Sequence, residues 1–205
     1  MKALVLVDIQ NDFLPGGALA VKNGDEVIPV VNQLLSKSFD LIVATKDWHP
    51  IDHGSFARSH GREVGDVFEL GGLQQILWPV HCVQGTSGAE FGPGWDISRI
   101  DRVFYKGTDK EIDSYSTFYD NGHRKSTGLG EFFKEKGITD VYVAGLTTDY
   151  CVKYSALDAI ALGFRVHVIV NGCRAVNLNK GDEKRALELM KMAGVDLIMD
   201  RVEGI

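Results

Sequence analysis

Residues 140–163 read DVYVAGLTTDYCVKYSALDAIALG, a short apolar run, a polar elbow and then a stretch of helical period. The run Val141 to Ala144 shows no alternation, which is how a strand buried on both faces reads. It passes through Gly145 and Leu146 into Thr147, Thr148 and Asp149, each able to cap a following helix, and the spacing predicts that helix over Asp149 to Gly163. Cys151 then falls in the first helical turn, where free N–H groups and the helix dipole favour a thiolate. A lone cysteine is equally a small buried hydrophobe, and its residue type leaves both readings open.

Outward from this unit the same grammar repeats. Ala3 to Val7, Leu41 to Ala44, Val103 to Tyr105, Val166 to Val170 and Val195 to Met199 read as further strands. Between them, Val27, Val31, Leu34 and Leu35 make one helical face after Asp25, and Ala186, Leu187, Met190 and Ala193 make another that stops at Gly194. Strands alternating with helices imply right-handed crossovers and an α/β fold: a doubly wound, mostly parallel sheet flanked by helices in three layers. Only the segment from about 46 to 100 breaks the alternation; rich in Gly, His, Trp and Pro, it reads as a functional insertion in a single domain spanning 1–205.

Composition narrows the partners. The 205 residues carry a net charge of -6 from scattered acidic and basic residues, with no basic stripe for nucleic acid and no polybasic anchor for a membrane. A small-molecule partner is the expectation, and nothing in the composition decides whether the chain forms a homo-oligomer. The opening MKALVLVDIQ is apolar, but Asp8 interrupts it short of a signal-peptide core, so a cytoplasmic location is expected. Cys82, Cys151 and Cys173 are odd in number and unrelated in spacing, which argues for reduced thiols rather than a disulfide framework. The turn after the first strand, DIQNDFLPGG, has no glycine triplet opening a helix, which disfavours a dinucleotide site.

In an open parallel sheet the ligand crevice lies beyond the carboxyl ends of the strands, and here those ends are chemical: Asp8, Asp47 with His49, Lys106, and Cys151. Asp8 can serve as general base to a thiol, or simply cap a turn. Lys106 can be a snorkelling surface lysine, or the cation that offsets the repulsion between Asp8 and a Cys151 thiolate. In DWHPIDHGSF, Asp47 and His49 are two apart on an extended strand end and project to one side, and His81 can add a third ligand. Four of the six histidines, His49, His53, His60 and His81, fall in this segment. Such ligands suit Zn, Fe or Mn, with His53 as a fourth ligand or a donor behind the others; a polar surface loop with incidental histidines is the alternative. Phe13 and Trp78 are core residues or, if both face the crevice, the two sides of a slot for a flat ring, worth about 0.5–1.5 kcal/mol each beyond area burial.

Taken together, VDIQNDF at 7–13, DWHP and HGSF within 47–56, WPVHC at 78–82, YKG at 105–107, SYSTF at 114–118 and GLTTDYCV at 145–152 closely resemble, in order, the motifs of the nicotinamidases (pyrazinamidases) of the isochorismatase-like cysteine hydrolases. The resemblance implies hydrolysis of nicotinamide to nicotinate and ammonia through a cysteine thioester, with pyrazinamide and related pyridine or pyrazine carboxamides as further ligands. It implies that Asp8, Lys106 and Cys151 are catalytic and that Asp47, His49 and His81 bind one divalent metal, zinc before iron or manganese. It also implies a cis Leu146–Thr147 peptide, an oxyanion hole of the Thr147 and Cys151 amides, and a substrate ring between Phe13 and Trp78. Another amidohydrolase of the same superfamily, acting on an N-carbamoyl compound or a different aromatic amide, is the nearest alternative; a non-catalytic metal-binding module is a more distant one.

Overall fold

The computed structural model describes residues 1–199; the tail of the domain expected to reach residue 205 lies outside the described residues. In chain order the main elements are β1 (Lys2–Val7), α1 (Val27–Leu35), β2 (Leu41–Asp47), the pair β3 (Val67–Leu70) and β4 (Leu73–Ile76), β5 (Arg102–Lys106), α2 (Leu129–Glu135), β6 (Asp140–Leu146), α3 (Lys153–Ala161), β7 (Arg165–Arg174), α4 (Asp182–Met192) and β8 (Asp196–Ile198). Six strands form one sheet in the order β5-β2-β1-β6-β7-β8, and each pairing in it is parallel. Among the described residues the only antiparallel ladder is the separate hairpin of β3 and β4.

The sheet is covered on both faces, which is why its strands read as apolar throughout. Ala3, Val5 and Val7 of β1 share one core with Phe133 of α2, Ala156 of α3 and Met190 of α4. Leu4 and Leu6 point the other way, into a core with Val27, Val31 and Leu34 of α1. Each Val, Leu, Phe or Met side chain among these, fully buried, contributes about 1.5–3 kcal/mol. Strand order reverses between β1 and β6, since β2 and β5 are laid to one side of β1 and the later strands to the other. The carboxyl ends of these two strands, Asp8 and the elbow before Cys151, therefore flank the switch-point crevice.

Several local expectations change. α1 buries Val27, Val31, Leu34 and Leu35 as its period predicts, whereas Ala193 falls just beyond α4 and is exposed. The helix expected from Asp149 begins instead as a wide turn over Thr148–Val152, with the Val152 amide donating to Thr147 O at 3.0 Å, and becomes regular only at Lys153. No side chain caps that turn; Asp149 is drawn away by the amides of Val176 (3.0 Å) and Asn177 (2.7 Å), so it ties the elbow to the loop after β7. α2 and the β3–β4 hairpin have no signal in the periodicity, being only seven residues and two runs of four. Among the described residues no helix is long and apolar enough to cross a membrane.

Candidate active site

Gly145 shows how closely the elbow is drawn to β1. Its φ is +128°, and a Cβ there would come within 2.1 Å of the Val7 carbonyl oxygen, so only glycine lets the end of β6 lie against Asp8. The Leu146–Thr147 peptide that follows is cis, and Asp8 itself holds a positive φ of 48°.

Three sequence-distant strand ends converge on the ammonium group of a fourth, Lys106. Lys106 Nζ lies 2.8 Å from Asp8 Oδ2, donates to the Ser114 carbonyl at 3.1 Å and reaches Cys151 Sγ at 3.3 Å. It also pairs with an oxygen of Asp47. Asp8, Asp47, Lys106 and Cys151 are all buried. Burial works against the Lys106 charge, but the Asp47 and Asp8 carboxylates outweigh it and hold its pKa well above the ordinary lysine range. Burial pushes the Asp8 carboxyl upward, against the pull of Lys106. Burial also pushes the Cys151 thiol well up, a rise that Lys106 opposes and that Asp8 adds to by charge and as a hydrogen-bond acceptor. A thiol and a carboxylate that burial shifts upward thus share one ammonium, an arrangement that can pass a proton from sulfur to oxygen.

Two residues that strand-end logic does not point to hold these groups, one at the Asp8 carboxylate and one at the Asp47 backbone. Thr45, inside β2, donates to Asp8 Oδ1 at 2.6 Å and accepts the Asp8 amide at 3.3 Å. Gln10 clasps Asp47 from both sides: its Nε2 donates to Asp47 O and its Oε1 accepts the Asp47 amide, each at 2.8 Å.

Next to Asp47 the two imidazoles predicted as ligands are set in one orientation. His49 Nδ1 meets the Gly107 carbonyl at 2.8 Å and His81 Nδ1 the Pro79 carbonyl at 2.8 Å. A carbonyl only accepts, so both rings carry hydrogen on Nδ1, and in the neutral imidazole this leaves the inward-turned Nε2 with a free lone pair. Those Nε2 atoms lie 3.6 and 3.7 Å from Asp47 Oδ2, and that of His49 is buried without a hydrogen-bond partner. The donor atoms of Asp47, His49 and His81 lie within 4.8 Å of one another, close enough to hold one metal ion. Charge points the same way: two buried carboxylates, Asp8 and Asp47, face one ammonium, and an uncompensated buried charge is costly.

His53 differs. It is buried 4.4 Å from the His49 ring, and its Nδ1 accepts the backbone amide of Ser55 at 3.1 Å. An acceptor Nδ1 leaves the ring hydrogen of a neutral imidazole on Nε2. Burial keeps that ring neutral, pushing its pKa down to about 4.

A small cavity opens onto this cluster. Its lining includes Phe13, Trp78, Asp47, His81, Thr147 and Cys151, so the structure brings the two predicted aromatics, a candidate ligand pair and the elbow to one space. Leu19, Asp113, Tyr115, Tyr150 and Val176 complete the wall; apart from Tyr115, which stands in SYSTF, and Tyr150, beside Cys151, nothing in the sequence marks them. His60, in contrast, packs on Phe68 away from the cavity, bonded to the Gly54 carbonyl.

Residues 2–200 match the isochorismatase domain. The chain belongs to the isochorismatase family. Among members of that family, it is 46% identical over 199 residues to the nicotinamidase of Escherichia coli (strain K12), covering 96% of this chain and 93% of that one. The structure of an Acinetobacter baumanii nicotinamidase pyrazinamidase superposes with a TM-score of 0.93 at 45% identity, covering 97% and 95% of the two chains. A pyrazinamidase of Pyrococcus horikoshii in complex with zinc superposes with a TM-score of 0.78 at 37% identity, covering 97% and 99%. Within the isochorismatase family this chain thus sits with the nicotinamidases, and its six-stranded parallel sheet flanked by helices is their fold.

Proposed function

We infer that this chain hydrolyses nicotinamide to nicotinate and ammonia, the reaction its relatives are named for, through a thioester on Cys151. The observation that carries the reading is the convergence of Asp8, Asp47 and Cys151 on Lys106 Nζ at the wall of an aromatic-lined cavity. Asp8 takes the thiol proton, and Lys106 stabilises the charge that passes from carboxylate to sulfur. The thiolate attacks the carboxamide carbon, and the amides of Thr147 and Cys151 donate to the oxyanion; losing one such donor typically costs roughly 2.7–4 kcal/mol. Asp8 returns its proton to the amine nitrogen as the C–N bond breaks and ammonia leaves. Asp8 then removes a proton from water attacking the thioester, nicotinate is released, and the proton returns to sulfur.

Phe13 and Trp78 hold the ring from either side, which orients the carboxamide toward Cys151. Asp47, His49 and His81 hold one divalent metal, with zinc first because two imidazoles and a carboxylate with open positions suit it and a zinc-bound relative exists. When bound, that ion offers a coordination position to the ring nitrogen and so selects pyridine and pyrazine carboxamides. His53, whose Nδ1 accepts the Ser55 amide, stands behind His49 rather than serving as a fourth ligand. The chain is read as one domain carrying the metal-binding insertion at about 46–100, and three cysteines free of disulfides fit a cytoplasmic enzyme.

The test is ammonia release from a panel of nicotinamide, pyrazinamide, benzamide and an N-carbamoyl amine, with metal content measured on the same sample. Nicotinamide should be turned over with about one metal per chain. Release from the N-carbamoyl compound but not from nicotinamide would move the chain to another amidohydrolase class.

A further inference from the structure

Gln75 is nearly fully buried at 3% exposure on β4, outside the lining of the cavity, yet it bonds to two residues that form its wall. Its Nε2 lies 2.7 Å from the Ile76 carbonyl and 3.1 Å from Asp113 Oδ2, both acceptors, which settles which end of the amide is nitrogen. The same nitrogen lies 3.0 Å from the Tyr115 hydroxyl, so of its two hydrogens one serves the Ile76 carbonyl and the other is shared between Asp113 Oδ2 and the Tyr115 oxygen; Asn121 Nδ2 donates to Gln75 Oε1 at 3.3 Å. The Tyr115 oxygen in turn accepts the indole N–H of Trp78 at 3.2 Å. Tyr115 and Trp78 both pack edge-on against Tyr150, at 5.3 and 4.9 Å between ring centres, so three aromatic rings of the cavity wall share one polar anchor.

We propose that Gln75, acting through Tyr115, sets the position of the aromatic wall on which the substrate ring rests, making it a positioning residue for ring binding and not for bond breaking. The inference rests on the reading of the cavity as an amide-hydrolysing site. A wall residue out of place weakens contacts that substrate and transition state share, which raises KM and leaves kcat alone.

Ammonia release from nicotinamide is measured for metal-loaded parent, Gln75→Met, Tyr115→Phe and the double variant. Gln75→Met keeps length and bulk but no polar atom, and should raise KM by about tenfold with kcat within about threefold. Because Gln75 acts through Tyr115, adding Gln75→Met to Tyr115→Phe should change KM by less than about twofold. A KM for Gln75→Met within about twofold of the parent, a fall in kcat at constant KM, or a full added effect in the Tyr115→Phe background overturns the role. If Gln75→Met is not recovered folded, Asn121→Asp reads the same link: it keeps the acceptor for the Tyr115 amide but sets an oxygen against Gln75 Oε1, and KM should again rise. An active parent with unmoved variants sinks Gln75 alone; a parent that releases no ammonia sinks the amidohydrolase reading with it.

Discussion

The Lys106 ammonium stands 3.3 Å from the Cys151 sulfur while forming an ion pair with Asp8 at 2.8 Å. One cation thus touches both the group that loses a proton and the group that gains it. In the proposed transfer negative charge would pass from Asp8 to sulfur, with Lys106 in contact with both ends.

Replacing Lys106 by Met should therefore slow alkylation of Cys151 by a haloacetamide at neutral pH, because the thiol then faces two buried carboxylates with no cation between them. Breaking a buried ion pair by removing one partner also costs roughly 3–5 kcal/mol, so the melting temperature should fall. Rates are read by mass spectrometry on folded protein, with Cys82 and Cys173 as internal references. Faster alkylation of Cys151 in Lys106→Met would show that the lysine does not stabilise the thiolate.

Asp8→Asn gives the opposite sign at sulfur. After burial, the Asp8 charge is among the causes that raise the thiol pKa, so its removal should lower that pKa and make Cys151 alkylate at lower pH. Turnover should nonetheless fall by about 10²–10⁴, since no group remains to carry the proton to the leaving amine. A thiol pKa that rises or stays put in Asp8→Asn contradicts the pairing.

The imidazole orientations separate His81 from His53. Nδ1 of His81 meets a carbonyl and Nδ1 of His53 accepts an amide, so only His81 turns a bare nitrogen toward Asp47. His81→Ala should lose metal outright, while His53→Ala should keep one equivalent with affinity reduced by no more than the roughly 10–100-fold typical of outer partners. X-ray absorption should count two imidazoles both in the parent and in His53→Ala. A drop from three to two on losing His53 would make it a ligand.

How far the sequence reaches depends on whether a residue's part follows from its place on its own element. Asp8, Asp47, Lys106 and Cys151 each stand at or just past a strand end, and parallel-sheet geometry alone brings such ends to one edge. Thr45, Gln10 and Gln75 do not: Thr45 meets Asp8 because β1 and β2 pair in one register, and Gln75 meets Asp113 only after a hairpin folds over from the insertion. Asp149 is legible as a cap by type, yet it serves the amides of Val176 and Asn177, a long-range contact that local propensity cannot anticipate. α2 is too short for periodicity to register, and packing of Leu129 and Phe133 against the sheet holds it instead.

Metal removal tests what the Asp47, His49 and His81 cluster contributes. If Asp8 and Lys106 activate the nucleophile and the ion positions the ring, chelation or His49→Ala should cripple nicotinamide hydrolysis. It should leave alkylation of Cys151 by a small haloacetamide much less affected, because that reagent needs a thiolate but no ligand for a ring nitrogen. Benzamide completes the comparison, having the flat ring and the carboxamide but no nitrogen to coordinate. It should be a poor substrate of the metal-loaded enzyme, and stripping the ion should lower its turnover far less than that of nicotinamide. Lys106 pairs with Asp47, a proposed ligand, so the two roles are in contact and the experiment is a sharp one. If benzamide matches nicotinamide, or if metal loss quenches alkylation as strongly as turnover, the ion acts on the sulfur through Asp47 and Lys106 and not on the ring.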